Sequence, residues 1–283
     1  MQVQPSKHLS GYIKHYLFLE TTGHGIKKLR LFSDGNPGMV FCFGNSLVSH
    51  EIKGSTPLPN AFIYGQVSAY KDLYIANGSS LIIVVFQPNG INRLLGITAN
   101  EIKDTIVSSE DIFGLPGVLI YERLYNEPAV ENRLHYLDGF FHQLIAGAAT
   151  PGHTLIDAAL HFIIKNKGVI TIQQLVKYTG YTERHIERVF NDSIGINPKK
   201  FGNIIKLHAF LNLLKYSRAQ NNITTLCYEA GYTDQSHLIK EFRKYTGITP
   251  TQYAKDTSKL ATNFMEINPA RISMSGLYNL PGL

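Results

Sequence analysis

Two hydrophobic periods divide this chain. From Ser10 to about Gly96, short apolar runs alternate with turn clusters: "YIKHYLFLE", "LRLFSDGNPGMVFCFG", "AFIYGQV" and "LYIANGSSLIIVVFQPNG". Tyr, Phe, Val and Ile dominate the runs, and Asp-Gly, Asn-Pro-Gly, Asn-Gly-Ser and Pro-Asn-Gly break them. Such a pattern predicts antiparallel strands closed into a small barrel or sandwich. From Thr98 the spacing turns helical, most clearly where Val130, Leu134, Leu137, Phe141 and Leu144 share one face of "AVENRLHYLDGFFHQLIAG". That stripe predicts a core helix packed on its own barrel, with a dimer face as the alternative. "GAATPGH", 147–153, reads as a linker. Residues 154–256 then read as short helices, and 257–283 as a C-terminal tail without clear periodicity, docked through Phe264, Leu277 and Tyr278.

The helical region contains the same corner twice. Gly180-Tyr181-Thr182 aligns with Gly231-Tyr232-Thr233 at an offset of 51; after one inserted residue, Phe190, Gly195, Pro198 and Phe201 align with Phe242, Gly247, Pro250 and Tyr253 at 52. In each copy an apolar stripe (Ile172, Leu175, Val176; Ile223, Leu226, Cys227) predicts a short helix, and a glycine free to turn left-handed ends it. Thr182 and Thr233 are the expected caps of the following helices, with Glu183 and Asp234 in their first turns. Ile186, Val189 and Phe190 then face inward in one copy, Leu238, Phe242 and Tyr245 in the other. Between the corners, "PKKFGNIIKLHAFLNLLKYS" predicts one continuous helix of roughly 28 Å, near the roughly 34 Å between major-groove segments on one face of B-DNA.

Two helices joined by a glycine turn, the second polar outside, form the arrangement that inserts its second helix into the major groove. Outward positions are Arg184, Glu187, Arg188 and Asn191 in the first copy, and Gln235, Ser236, His237, Ile239, Lys240 and Arg243 in the second. Guanidinium, ammonium, amide and hydroxyl groups address base edges and phosphates, a carboxylate accepts from cytosine, and Ile239 suits a thymine methyl. Lys199 and Lys200, just after a helix start, are phosphate-contact candidates.

Charge sharpens this picture. The net charge is +6, and residues 151–256 hold 14 Lys and Arg against 8 Asp and Glu, while residues 1–150 are nearly neutral. A polyanion-binding module joined to a neutral one fits that distribution. No apolar run reaches membrane-spanning length, and the N-terminus lacks a signal layout, so a cytoplasmic protein with no membrane partner is expected. Cys42 and Cys227 fit two reduced thiols.

The C-terminal hundred residues, and above all "ITTLCYEAGYTDQSHLIKEFRKYTGITPTQYAKD", resemble the AraC-type DNA-binding domain, two helix-turn-helix units joined by a linker helix. The resemblance implies a transcription regulator, with Arg184, Glu187, Arg188, Gln235, Ser236, His237, Ile239 and Lys240 as base readers. Ile239 departs from the small polar residue usual there. "SDGNPGMVFCFG", "YGQ" and "VVFQPNGINRLLGI" resemble a sensor-like β domain attached to such modules in Bacteroidetes-type regulators. The expected fold is therefore α+β in two domains: residues 1–146 a cupin-like β barrel or sandwich with trailing helices, residues 154–256 all-α. Expected partners are double-stranded DNA, with RNA polymerase, a small-molecule effector and a second copy as further candidates; no cofactor, catalytic residue or metal site is implied. The alternatives are a metal-dependent cupin-like enzyme, against which His8, His15, His24 and His50 are scattered with no His-x-His before a Glu; a repair protein, for which neither cysteine has a nucleophilic setting; and a non-specific architectural DNA-binding protein.

Overall fold

The computed structural model describes residues 1–21, 25–51, 54–76, 78–147, 154–216, 223–255 and 257–267. The chain runs through β1 (Gln2–Val3), β2 (Ile13–Glu20), β3 (Ile26–Leu31), β4 (Gly38–Phe43), β5 (Val48–Glu51), β6 (Gly54–Pro57), β7 (Ala61–Tyr64), β8 (Lys71–Ala76) and β9 (Ser80–Phe86). Helix α1 (Gly90–Leu95), strand β10 (Ile106–Ser108) and helices α2 (Ser109–Phe113), α3 (Leu115–Asn126) and α4 (Val130–Gly147) follow. The second helical group comprises α5 (Thr154–Lys165), α6 (Ile172–Thr179), α7 (Glu183–Ile194), α8 (Pro198–Tyr216), α9 (Ile223–Glu229), α10 (Gln235–Thr246) and α11 (Pro250–Lys255), and a hairpin, β11 (Thr257–Ala261) and β12 (Phe264–Ile267), comes last.

The strands form two antiparallel six-stranded sheets, ordered β1-β2-β9-β4-β7-β10 and β11-β12-β3-β8-β5-β6. Between them Leu17, Val40, Phe62, Leu81 and Ile83 of the first sheet meet Leu29, Leu73, Ile75 and Phe264 of the second. The outer face of the first sheet is covered by α1–α4. Strands buried on both faces read as unbroken apolar runs, which is why "GMVFCF" and "LIIVVF" show no alternation. The α4 stripe belongs to this layer: Leu137 and Phe141 are fully buried, Phe141 against Phe86, and Val130, Leu134 and Leu144 pack partly buried beside them, so the stripe packs as core on its own sandwich. The hairpin β5–β6 and strand β10 are elements that the sequence pattern did not indicate; β10 lies in the region read as helical, where Ile106–Ser108 pair with Phe62–Tyr64.

The outer face of the second sheet is covered by the other helices, producing four layers. Phe32, directly after β3, is fully buried in the helical cluster together with Met265 and Ile267. Its ring lies 5.9 Å from that of His208 and 6.4 Å from that of Tyr253. His208 Nε2 stands 3.0 Å from the Ser33 carbonyl, and burial lowers the imidazole below its usual pKa, keeping it the neutral donor of that bond. Helix α8 is thus apolar on more than one side: Phe201, Ile204, Leu207, Phe210 and Leu211 are all buried.

The residues read as a tail do not behave as one. β12 pairs with β3, placing Phe264 opposite Leu31 and Met265 opposite Arg30, and β11 pairs with β12. The hairpin extends the N-terminal sheet, so that sheet is built from both ends of the chain. Phe264 docks as expected; Leu277, Tyr278 and the expected linker residues 148–153 lie outside the described residues.

Candidate nucleic-acid interface

Each copy of the corner is built by local chemistry. Helix α6 begins with a capping box, in which the Thr171 hydroxyl accepts from Gln174 N–H and the Gln174 side chain accepts from Thr171 N–H. It ends at Gly180, φ 76°, whose N–H bonds the Val176 carbonyl. Helix α9 ends at Gly231, φ 82°, and Tyr232 N–H reaches back to the Cys227 carbonyl at 3.0 Å. Thr182 caps α7, as its position indicates. In the second copy the cap is Asp234 and not Thr233: its carboxylate accepts from His237 N–H at 2.7 Å, and Thr233 Oγ1 donates to it at 3.3 Å. The inserted residue therefore lies in the turn, and α10 starts 52 positions after α7. The backbone bond from His237 is the main influence holding the Asp234 carboxyl below the usual value, so the cap stays ionised at the positive end of the helix.

Replacing Gly231 by Val forces a β-branched side chain to positive φ and drives its Cβ into Val169. Val169 is exposed and can yield, so backbone strain of about 1–3 kcal/mol is the larger cost. Expected is a melted second corner above a folded N-terminal sandwich; full DNA affinity at unchanged thermal stability contradicts the turn assignment.

The inner faces form one core, with Ile186, Phe190, Leu238 and Phe242 all essentially fully buried. The outer faces carry the expected polar residues. Arg184, Arg188, Gln235, Ser236, His237, Lys240 and Arg243 are exposed; Glu187, Asn191 and Ile239 are half-buried. Asp234, Ser236, His237, Ile239, Lys240 and Arg243 line a single open concavity along α10. Several of these side chains are already engaged. Arg188 pairs with Asp192 at 3.5 Å and approaches His185 Nδ1 at 3.4 Å. Gln235 Oε1 accepts from Thr224 Oγ1 at 3.3 Å, tying α10 to α9. His237 packs edge-on to Tyr232 and lies 3.9 Å from Glu241. Exposed pairs of this kind contribute about 0–1 kcal/mol, so exchanging one for a phosphate or base contact costs little. Lys199 and Lys200 are exposed on the first turn of α8, and Lys199 borders a cleft of about 380 Å³ shared with Thr171, Asn203 and Gly231.

The sequence pattern marks Tyr181 only as part of the repeated turn, with no contact role. It sits at the turn, 45% exposed, stacked on His185 at 5.2 Å and 20°. Its equivalent Tyr232 is buried beneath Lys206, whose ammonium lies 4.2 Å from the ring centre. The aligned sequences give no hint of that difference, because both copies read Gly-Tyr-Thr.

A model of the helix-turn-helix domain matches residues 175–256, which contain both corners and the helix joining them. Residues 175–256 are an AraC-type helix-turn-helix domain. Residues 1–108 match a model described as a domain of unknown function, DUF6597, so the AraC-type domain follows a separate N-terminal one. The chain is 31% identical over 87 residues to an uncharacterized HTH-type transcriptional regulator of Haemophilus influenzae, covering 31% of this chain and 28% of that protein. An uncharacterized HTH-type transcriptional regulator of Staphylococcus aureus (strain MSSA476) is 26% identical over 95 residues, 33% of this chain and 12% of that protein. The matches thus span under a third of these relatives' length. Among solved structures, an apo ToxT variant from Vibrio cholerae strain SCE256 superposes with a TM-score of 0.48 at 12% identity, covering 89% of this chain and 98% of that one.

The N-terminal sandwich holds a mostly apolar cavity of about 250 Å³ between its sheets. Leu31, Leu73 and Phe264 form part of its wall, contributed by β3, β8 and β12. Alternation turns the neighbouring residues of the same strands, Arg30, Asp72 and Met265, to the opposite face, toward the AraC-type domain. One sheet separates the cavity from the DNA-binding module. Among the described residues no group of three His, Cys, Asp or Glu side chains is placed to hold a metal ion, and no helix is long and apolar enough to cross a membrane.

Proposed function

We propose that this chain is a sequence-specific, double-stranded-DNA-binding transcription regulator of the cytoplasm, with α7 and α10 entering successive major-groove segments. It binds and does not catalyse. The observation that carries this reading is the repetition of one capped corner, each copy apolar inside and polar outside, on a rigid helix of about the groove spacing. The roles assigned to Arg184, Glu187, Arg188, Asn191, Gln235, Ser236, His237, Ile239, Lys240 and Arg243 as base or groove contacts, and to Lys199 and Lys200 as phosphate contacts, belong to this proposal. So does a domain division at residues 147–153. The cavity between the sheets is the proposed site of a small apolar effector, and RNA polymerase and a second copy are the further partners that the reading includes.

The test is selection of bound sequences from a random DNA pool, followed by footprinting. A regulator of this kind protects two segments about one helical turn apart; uniform protection without a selected sequence favours an architectural protein. Arg188→Ala should weaken binding to the selected site by roughly 1–3 kcal/mol and relax preference at one base pair, because a bidentate guanidinium contact is lost. Lys199→Ala should weaken binding to all DNA alike and lower the salt dependence. Equal losses by both variants on selected and random DNA rule out the base-reading role of Arg188.

A further inference from the structure

Both DNA-reading helices end against the N-terminal domain, each beside its capping glycine, though through different carbonyls of the last turn. At the end of α10, Arg30 of β3 donates from Nη1 to the Thr246 carbonyl at 3.2 Å. This guanidinium is almost completely buried, held bidentately by Asp72 at 2.6 and 2.7 Å and stacked 4.0 Å from the centre of the Tyr70 ring. The approach is so close that a Cβ on Gly247 would stand 2.5 Å from both Arg30 Nη1 and the Tyr70 ring. At the end of α7, Ala99 N–H donates to the Asp192 carbonyl at 2.7 Å, and a Cβ on Gly195 would stand 2.8 Å from the Ala99 carbonyl oxygen. Gly195 and Gly247 are the corresponding caps of the duplicated corner.

The carbonyls in a helix's last turn have no partner within the helix, and a cation there also complements the helix dipole. In most proteins water or a local side chain meets this need. Here a second domain meets it twice, and at α10 with a buried ion pair whose Asp72 carboxyl, despite burial that alone would raise its pKa, is held low by Arg30 and Lys28. The N-terminal ends of α7 and α10, which carry the outward residues Arg184, Gln235 and Ser236, stay exposed. Each helix is thus braced by the N-terminal domain at its C-terminal end, while its N-terminal end keeps outward side chains exposed to solvent.

From these contacts we infer that Arg30 and the segment at Ala99 are positioning residues for DNA recognition: α8 joins the two recognition helices, and the N-terminal domain fixes their spacing by bracing the end of each. The inference rests on the proposed DNA-reading function. Arg30 touches no base; it acts through α10. A rigid spacing makes the protein selective for the number of base pairs between its two contacted segments, because one inserted pair displaces and rotates the second segment relative to the first.

The experiment uses the full-length chain and the duplex that it selects from a random pool, together with duplexes carrying one base pair more or fewer between the two protected segments. The wild-type chain should lose about tenfold or more in affinity on altered spacing, the order of a mismatched pair. Arg30→Lys keeps a cation for Asp72 but is too short to serve Thr246 as well, and Arg30→Gln combined with Asp72→Asn removes the charge pair. Both should bind the three duplexes within about threefold of one another while each half-site alone is bound as by wild type. Melting curves establish folding, and Arg30→Lys serves as the readout if the double variant unfolds. Wild-type spacing discrimination in a folded variant, or a uniform gain or loss on every duplex, overturns the inference and leaves the function reading standing. Failure of the wild-type chain to select any sequence removes the function reading and this inference with it.

Discussion

Truncation after Lys255 is expected to destabilise the whole protein, although the residues removed have no periodicity in sequence. The hairpin β11–β12 buries Phe264, Met265 and Ile267, each at most 3% exposed. At about 1.5–3 kcal/mol for each such side chain, its loss removes roughly 5–9 kcal/mol of burial, comparable with the whole stability of a domain. The damage reaches both domains, because Phe264 faces the core between the sheets while Met265 and Ile267 face the helices. It also leaves β3 as an unpaired edge. Met265→Ala tests the same contact at constant chain length and should cost about 2–5 kcal/mol. Denaturant unfolding of both proteins is the measurement; a truncated chain with the midpoint and slope of the intact one refutes the structural role of the hairpin.

The second large effect is expected at Phe32. Its ring is fully buried in the helical cluster, although the residue belongs to the N-terminal half of the chain. Phe32→Ala should cost about 3–5 kcal/mol, since the pocket formed around His208 and Tyr253 cannot close over the lost ring. This loss falls on the docking of the two domains and not on the interior of either. Two separated unfolding transitions should therefore replace a shared one, and the Ser33 carbonyl to His208 bond should loosen with it. Hydrogen exchange along α8 reports the second effect. Unchanged protection there, with a single unfolding transition at the wild-type midpoint, excludes Phe32 as the anchor.

Much of the DNA-binding half was legible because its determinants are local. Period-3.6 stripes, a glycine at each turn, a capping residue and a proline at each following helix act over one or two turns, and the chain writes them twice. Exposure of the outward side chains also follows from that period. The strands of the N-terminal half were legible for the same reason, through β-branched and aromatic runs between turn residues. Where two local signals competed, the repeat misled. Aligning Thr233 with Thr182 made Thr233 the expected cap, but the inserted residue falls in the turn and Asp234 takes the role, accepting from His237 N–H.

What only the tertiary structure decided concerns partners far apart in sequence. "FMEI" is four residues long, too short for an alternating pattern to stand out, and its pairing with β3 joins side chains such as Lys27 and Glu266, 239 positions apart. Arg30 reads as an ordinary outward charge between Leu29 and Leu31. Its meaning depends on α10 being brought against that face of the sheet. Helix α8 has more apolar faces than a solvated linker needs, and the reason, the N-terminal sheet with Phe32 at its edge, lies far away along the chain. Local chemistry determined that this protein has two helical corners and a sheet-forming domain; long-range burial determined how the two are fastened together, because that energy exists only once distant segments exclude water from one another.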